Sequence, residues 1–254
     1  VTIWTGTSFA GKSTLLNWVQ LCAVCKKLNI YVCSLEVRVE TTVRRIAHAS
    51  LSSDGEQKSE ENYLLWTKLL GHHIILCDMV GYIEQEVLFA QMEFAYQRYG
   101  VTQFFIDSLM RIKGLEEDYP AQGDFLNKLQ EFAKKTGTHV HLVAHPAKVK
   151  DRRVGMMDVK GASLLMNNAD NIVVVTRNPE KAAIEKERDL TDEEQQMHDT
   201  EVTVEKQREC GWVGTFYLKF NRYDYTFFPC QKTTPAKKEK QQRQRQHWQQ
   251  NDRY

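Results

Sequence analysis

The chain has 254 residues, of which 42% are apolar and 26% charged. That length suits one good-sized domain or two small ones, and the composition excludes a wholly disordered chain, a collagen and a coiled coil. No apolar run reaches the ~18 residues of a membrane-crossing helix, so no membrane partner is expected. The net charge of +1 is unevenly spread. Residues 236–254 hold six Lys/Arg and two Asp/Glu, a net +4, against 28 and 31 elsewhere, a net −3.

In chain order, Val1–Thr5 reads as a strand, followed by a glycine-bearing loop and a helix from Lys12 to about Lys27. The start at Val1, inside a strand and without a charged leader, reads as the beginning of an excised domain with no secretory peptide. Ile30–Leu35 is a second buried strand, and a helix is expected over Thr41–Ala49. Residues 50–62 are polar and loop-like, and Ile74–Cys77 is a short strand. Ile83, Val87, Ala90 and Phe94 recur at helical spacing, which predicts a helix running to Tyr99 and stopped by Gly100. Phe104–Ile106 is a strand that ends in Asp107. Phe125, Leu129 and Phe132 mark a helix stopped by Gly137, and Val140–Ala144 and Ile172–Thr176 are further apolar strands. Strands alternating with helices imply an α/β fold, a mostly parallel twisted sheet covered on both faces.

Residues 178–200 carry eight acids and three bases with little apolar content, and read as a solvated insertion. Val202–Val204, Phe216–Phe220 and Tyr225–Phe228 follow at the close spacing of antiparallel hairpins. The expected division is a motor or ATPase domain over 1–230 and a basic, Gln-rich tail over 231–254, the latter disordered. Of six cysteines, Cys22 and Cys25 form a C-x-x-C within a helical apolar pattern. No second pair follows at zinc spacing, so they read as two small core-facing residues rather than metal ligands, and free thiols fit a reducing compartment.

Gly6-Thr7-Ser8-Phe9-Ala10-Gly11-Lys12-Ser13 fits G-x-x-x-x-G-K-[ST] between a predicted strand and a predicted helix. Successive backbone N–H groups in such a loop cradle phosphate oxygens, and the helix N-terminus, where Thr14 follows, favours the anion. Lys12 is expected to reach the β- and γ-phosphates of ATP, and the Ser13 hydroxyl to bind Mg²⁺. A second magnesium-binding acid is needed. Asp107, delivered by an apolar strand to the sheet edge, is the first candidate and Asp78 the rival.

The ordered set of segments then becomes informative. After the phosphate loop come Ser34-Leu35-Glu36, Phe105-Ile106-Asp107, Leu142-Val143-Ala144-His145-Pro146, Asp158-x-x-Gly161-x-Ser163, Ala169-Asp170-Asn171 and Lys206-x-Arg208-x-x-Gly211-x-x-Gly214. Over about residues 1–229 this resembles the RecA-like motor domain of the ring-shaped replicative helicases of the DnaB superfamily. The likeness is greatest to a mitochondrial branch of that superfamily and to the helicase half of phage primase-helicases.

The resemblance implies an ATP-dependent DNA helicase motor. Glu36 falls on the general base that polarises the attacking water, and His145 on the sensor of the γ-phosphate. Arg208 and Lys206 fall on the arginine finger and its companion lysine, which act on a neighbouring subunit's ATP. Arg177 and Phe220 match positions that flank adenine. Lys148, Lys150, Arg152, Arg153 and Lys160 fall on the channel loop that tracks single-stranded DNA, where clustered cations suit a phosphate backbone. Partners implied in this way are single-stranded DNA, other copies of the chain in a hexameric ring, and replisome proteins such as primase and polymerase. The implied setting is a phage-infected or bacterial cytoplasm, with the mitochondrial matrix as the alternative. Unwinding of 5′-to-3′ polarity comes from the resemblance alone, and a RecA- or KaiC-like ATPase without unwinding is the second reading. No segment matches the family's primase zinc site or the linker helix that holds the ring, so the ATPase core is expected to fold without them.

Overall fold

The computed structural model describes residues 1–7, 10–50, 60–145 and 167–232. Among these residues, nine strands form a single sheet: β1 (Thr2–Thr5), β2 (Ile30–Ser34), β3 (Ile74–Leu76), β4 (Gln103–Asp107), β5 (His139–Val143), β6 (Asn171–Arg177), β7 (Thr200–Gln207), β8 (Gly214–Phe220) and β9 (Phe227–Cys230). Their order is β3-β2-β4-β5-β1-β6-β7-β8-β9. The first six are parallel. The last three join antiparallel, as the hairpin spacing predicts.

The parallel strands are apolar because helices cover both faces. Side-chain alternation splits β4 cleanly: Phe104 and Ile106 enter one core layer and Phe105 the other. The first layer is closed by α4 (Gln85–Tyr99) and α5 (Tyr119–Thr136), through Leu88, Met92, Phe125 and Leu129. The second is closed by α1 (Lys12–Cys25), through Leu15, Leu16 and Val24. Two further helices, α2 (Val39–Ser50) and α3 (Glu60–Leu69), stack on α1 around Leu21, Ile46 and Trp66.

Several expectations are corrected. The loop expected over 50–62 gives way to α3 from Glu60 onward, while 51–59 lie outside the described residues. Helix α4 turns Val87, Ala90 and Phe94 outward and buries Leu88, Met92 and Ala95. Both stripes recur at helical spacing, so periodicity alone does not choose between them. Cys22 and Cys25 are exposed rather than core-facing, because Leu21, Ala23 and Val24 occupy the inner face of α1. Tyr225, expected in a strand, sits in the turn before β9 with φ 58°.

The solvated insertion is corrected most. Its residues form α6 (Pro179–Glu187) and a short α7 (Asp192–Gln195). Asn178 caps α6 by accepting from the Glu180 and Lys181 backbone N–H groups, and Thr191 with Glu194 makes a capping box on α7. Lys181, Met197 and His198 are buried. Some of its charges pair with one another, Lys181 with Asp199 in the interior and Arg188 with Glu194 at the surface, while Lys186, Glu187, Asp189, Asp192 and Glu193 are exposed.

Candidate nucleotide site

The parallel strands all run toward one edge of the sheet, and the chemistry-bearing residues gather there. Gly6 leaves β1 so close to β6 that an added Cβ would lie 2.0 Å from the Val175 carbonyl oxygen, so no larger residue fits. Gly11, with φ 88°, turns the loop into α1. Lys12 is buried, and its Nζ donates to the Gly6 and Thr7 carbonyls at 2.7 and 2.9 Å. Burial lowers its pKa, while the charges of Asp107 and Glu36 pull the other way. Ala10 N–H closes the loop on the Thr7 carbonyl at 3.2 Å. Ser8 and Phe9 lie outside the described residues.

Asp107, at the end of β4, meets the first turn of α1: the Ser13 hydroxyl donates to its Oδ2 at 2.8 Å. Burial pushes the Asp107 carboxyl up, opposed by that hydrogen bond. A hydroxyl and a carboxylate side by side are hard oxygen donors of the kind Mg²⁺ takes, so the pair fits the ion. Asp78 instead follows the edge strand β3 and is exposed. Thr14, next on α1, lines a small cavity with Asn17, Arg45, Ala49 and Tyr225.

Glu36 stands just past β2, beside Asp107. It accepts from the Ser108 hydroxyl at 3.1 Å and lies 3.5 Å from His145 Nε2 and 3.6 Å from Arg111 Nε. His145, Ser108 and Arg111 together hold its carboxyl down at about 2, with the His145 hydrogen bond foremost. Ser108 and Arg111 escape a reading of the sequence. They follow Asp107 by one and four residues, and only the Glu36 contact marks them.

The remaining residues divide between the two ends of the sheet. Arg177, the last residue of β6, is at the phosphate-loop end, and Phe220 ends β8 nearby. Arg208 and Lys206 are at the far end. Arg208 pairs with Asp170 at 2.8 Å, and Arg208 Nη2 and Lys206 Nζ each donate to the Asn167 carbonyl at 3.1 Å. Asp170 precedes β6, so some five residues of strand, about 16 Å at the usual rise, separate it from Val175 beside Gly6. Arg208 therefore cannot reach the phosphate loop of its own chain. Lys148, Lys150, Arg152, Arg153 and Lys160 lie outside the described residues.

A phosphate loop at the mouth of α1, an oxygen pair for a metal and a hydrogen-bonded carboxylate on a RecA-like sheet define a P-loop nucleoside triphosphatase domain. More particularly, the model of the AAA domain family matches residues 1–151, and the chain belongs to that family. A curated relative, the chloroplastic/mitochondrial Twinkle homologue of Arabidopsis thaliana, is 24% identical over 205 residues, which is 72% of this chain and 28% of the relative. The chain thus spans under a third of that protein's length. The solved ATPase domain of another protein has the same fold, with a TM-score of 0.73 at 16% identity over 91% of this chain and 84% of that one. So does a DnaB-like replicative helicase, solved in work on its interactions with primase, with a TM-score of 0.72 at 15% identity over 91% and 58%.

Proposed function

We propose that this chain is the ATP-hydrolysing motor domain of a DnaB-type replicative DNA helicase. The observation that carries the reading is the meeting of Lys12, Ser13, Asp107 and Glu36 at one sheet edge, with Ser13 bonded to Asp107 at 2.8 Å. In that reading, the backbone N–H groups of residues 6–13 and the α1 N-terminus hold the phosphates, and Lys12 adds a point charge. Ser13 and Asp107 would hold Mg²⁺, which would supply positive charge to the bound phosphates. Glu36 orients the attacking water and accepts its proton as the bond from water oxygen to γ-phosphorus forms and that to the ADP oxygen breaks. Ser108 and Arg111 fix the carboxylate, and His145 links its position to the segment that follows β5.

The distance of Arg208 from its own phosphate loop supports a role on a neighbour's nucleotide, with Lys206 beside it. That arrangement asks for a ring of copies, hexameric in this reading. Single-stranded DNA is the track, contacted by Lys148, Lys150, Arg152, Arg153 and Lys160, and primase and polymerase are the expected replisome partners. Unwinding with 5′-to-3′ polarity belongs to the same proposal. Phosphate release by the Lys12→Ala variant tests the site. Loss of ~10³-fold or more in turnover is expected for a residue that cradles the transferred phosphoryl group, and wild-type turnover would overturn the reading.

A further inference from the structure

We propose that the helical insertion over residues 178–200 positions the nucleoside end of the bound nucleotide, with Glu185 as the positioning residue for Arg177. The proposal rests on the nucleotide site described above. Because Gly6 packs against Val175, β6 leaves the sheet beside the phosphate loop, and Arg177 is two residues further on. There it borders an open groove of about 940 Å³ that also includes Phe220, Arg222 and Tyr223. Planar cations and aromatic rings at a groove mouth suit a flat heterocycle, which stacks on both.

One face of α6 lines this groove and bonds to both Arg177 and Arg222 across it. Lys181 and Glu185 are four residues apart and therefore lie on the same side of the helix. Glu185 accepts from Arg177 Nη2 and, at 2.6 Å, from Arg222 Nη2. Its side chain is 18% exposed, against 50% for Arg177 and 71% for Arg222, so the carboxylate is the shielded anchor and the guanidinium groups are the exposed parts. Lys181 is buried, and its Nζ donates to the Gln195 and Met197 carbonyls at 3.2 Å and to Asp199 Oδ1 at 2.7 Å. The other oxygen of Asp199 accepts from the Phe220 backbone N–H at 2.8 Å. The helix is fixed in turn by buried Asn178, whose Nδ2 donates to the His198 carbonyl at 2.8 Å. A carboxylate on the edge of a guanidinium fixes its plane and leaves its flat face free to stack. The insertion thus presents Arg177 ready to stack, and an unpaired arginine on a mobile stem does not.

The test uses the full 254-residue chain, with Glu185→Gln, Glu185→Ala and Glu185→Asp assayed against ATP, and inorganic tripolyphosphate with Mg²⁺ as a competitor that lacks the base. Expected for Gln and Ala is a KM for ATP raised about tenfold with kcat changed about twofold or less. The inhibition constant of tripolyphosphate should stay unchanged, and Asp should restore most of the KM. An unchanged KM in both Gln and Ala variants overturns the proposal. Equal weakening of ATP and tripolyphosphate also overturns it, since that reports a loosened phosphate loop. Failure of the nucleotide site itself is read separately, as wild-type turnover in Lys12→Ala.

Discussion

In the parallel half of the sheet, β1, β2, β4 and β5 are largely buried, and Asp107 and Glu36 at strand ends meet Lys12 and Ser13 of the first turn of α1. In the antiparallel half, β8 and β9 keep much of their surface in water, with Phe216 and Phe228 each 52% exposed. Its charged side chains are held by ion pairs: Arg208 by Asp170, Arg177 and Arg222 by Glu185. Close packing fixes positions at no cost in unpaired charge, which suits groups that must meet a transferring phosphoryl within tenths of an ångström. Ion pairs at a surface are weak and easily exchanged, which would let Arg208 leave Asp170 for a neighbouring subunit, while the more shielded Glu185 holds Arg177 in place. The parallel half should therefore set whether hydrolysis occurs, and the antiparallel half how nucleotide and neighbour are engaged.

The largest expected effect tests the second part of that division. Arg208→Ala should lower turnover about 10³-fold when alone, the range of a finger that stabilises the transferring phosphoryl group. Mixed with Lys12→Ala chains, it should recover activity at interfaces that combine one intact site with one intact finger. Normal hydrolysis by Arg208→Ala alone would mean that the two halves do not cooperate across subunits.

A smaller effect sharpens the first part. His141 lies inside the parallel sheet, stacked on Phe105 at 4.4 Å between centroids. Its Nδ1 accepts from Trp4 Nε1 at 3.1 Å and its Nε2 faces Gln103 Oε1 at 3.2 Å, so the neutral ring uses both nitrogens. Burial lowers its pKa to about 3 and that of His139 to about 4. The unfolded chain takes up these protons below about 6.5, and the folded chain resists until far lower. Stability is then full above about pH 6.5 and falls as the pH drops toward about 4, by up to ~1.4 kcal/mol per unit for each ring. Denaturant midpoints measured from neutral pH down to about pH 4.5 should show that slope, and His141→Gln should flatten it. A midpoint independent of pH in the wild type would contradict the neutral buried ring.

The smallest expected effect lies on the antiparallel side. Glu194→Ala removes the Arg188 pair on the surface of the insertion, and the melting temperature should not move measurably. A drop of several degrees would show that such pairs hold structure and are not exchangeable.

The parallel half is the more legible from sequence, for a physical reason. Buried strands read as apolar runs such as Phe104-Phe105-Ile106, and the phosphate loop is contiguous in the chain. Asp107 and Glu36 can be placed because each ends such a run. The contacts of Glu36 with Ser108, Arg111 and His145 join the ends of three strands, and no local pattern announces them. Helix α4 misleads because Val87, Ala90 and Phe94 share the spacing of the truly buried Leu88, Met92 and Ala95. The insertion is largely solvated at its charges, and what its composition hides is its two helices and the buried Lys181 paired with Asp199. Its caps, Asn178-Pro179-Glu180 and Thr191-x-x-Glu194, are readable signals of two helices.

The central claim is that subunits meet to complete the site, and ATP hydrolysis measured against protein concentration, with and without single-stranded DNA, tests it most directly. Specific activity should rise steeply with concentration and rise again when the DNA is added. Specific activity independent of both would leave the phosphate loop as a nucleotide site, and would contradict both the trans-acting Arg208 and the helicase motor.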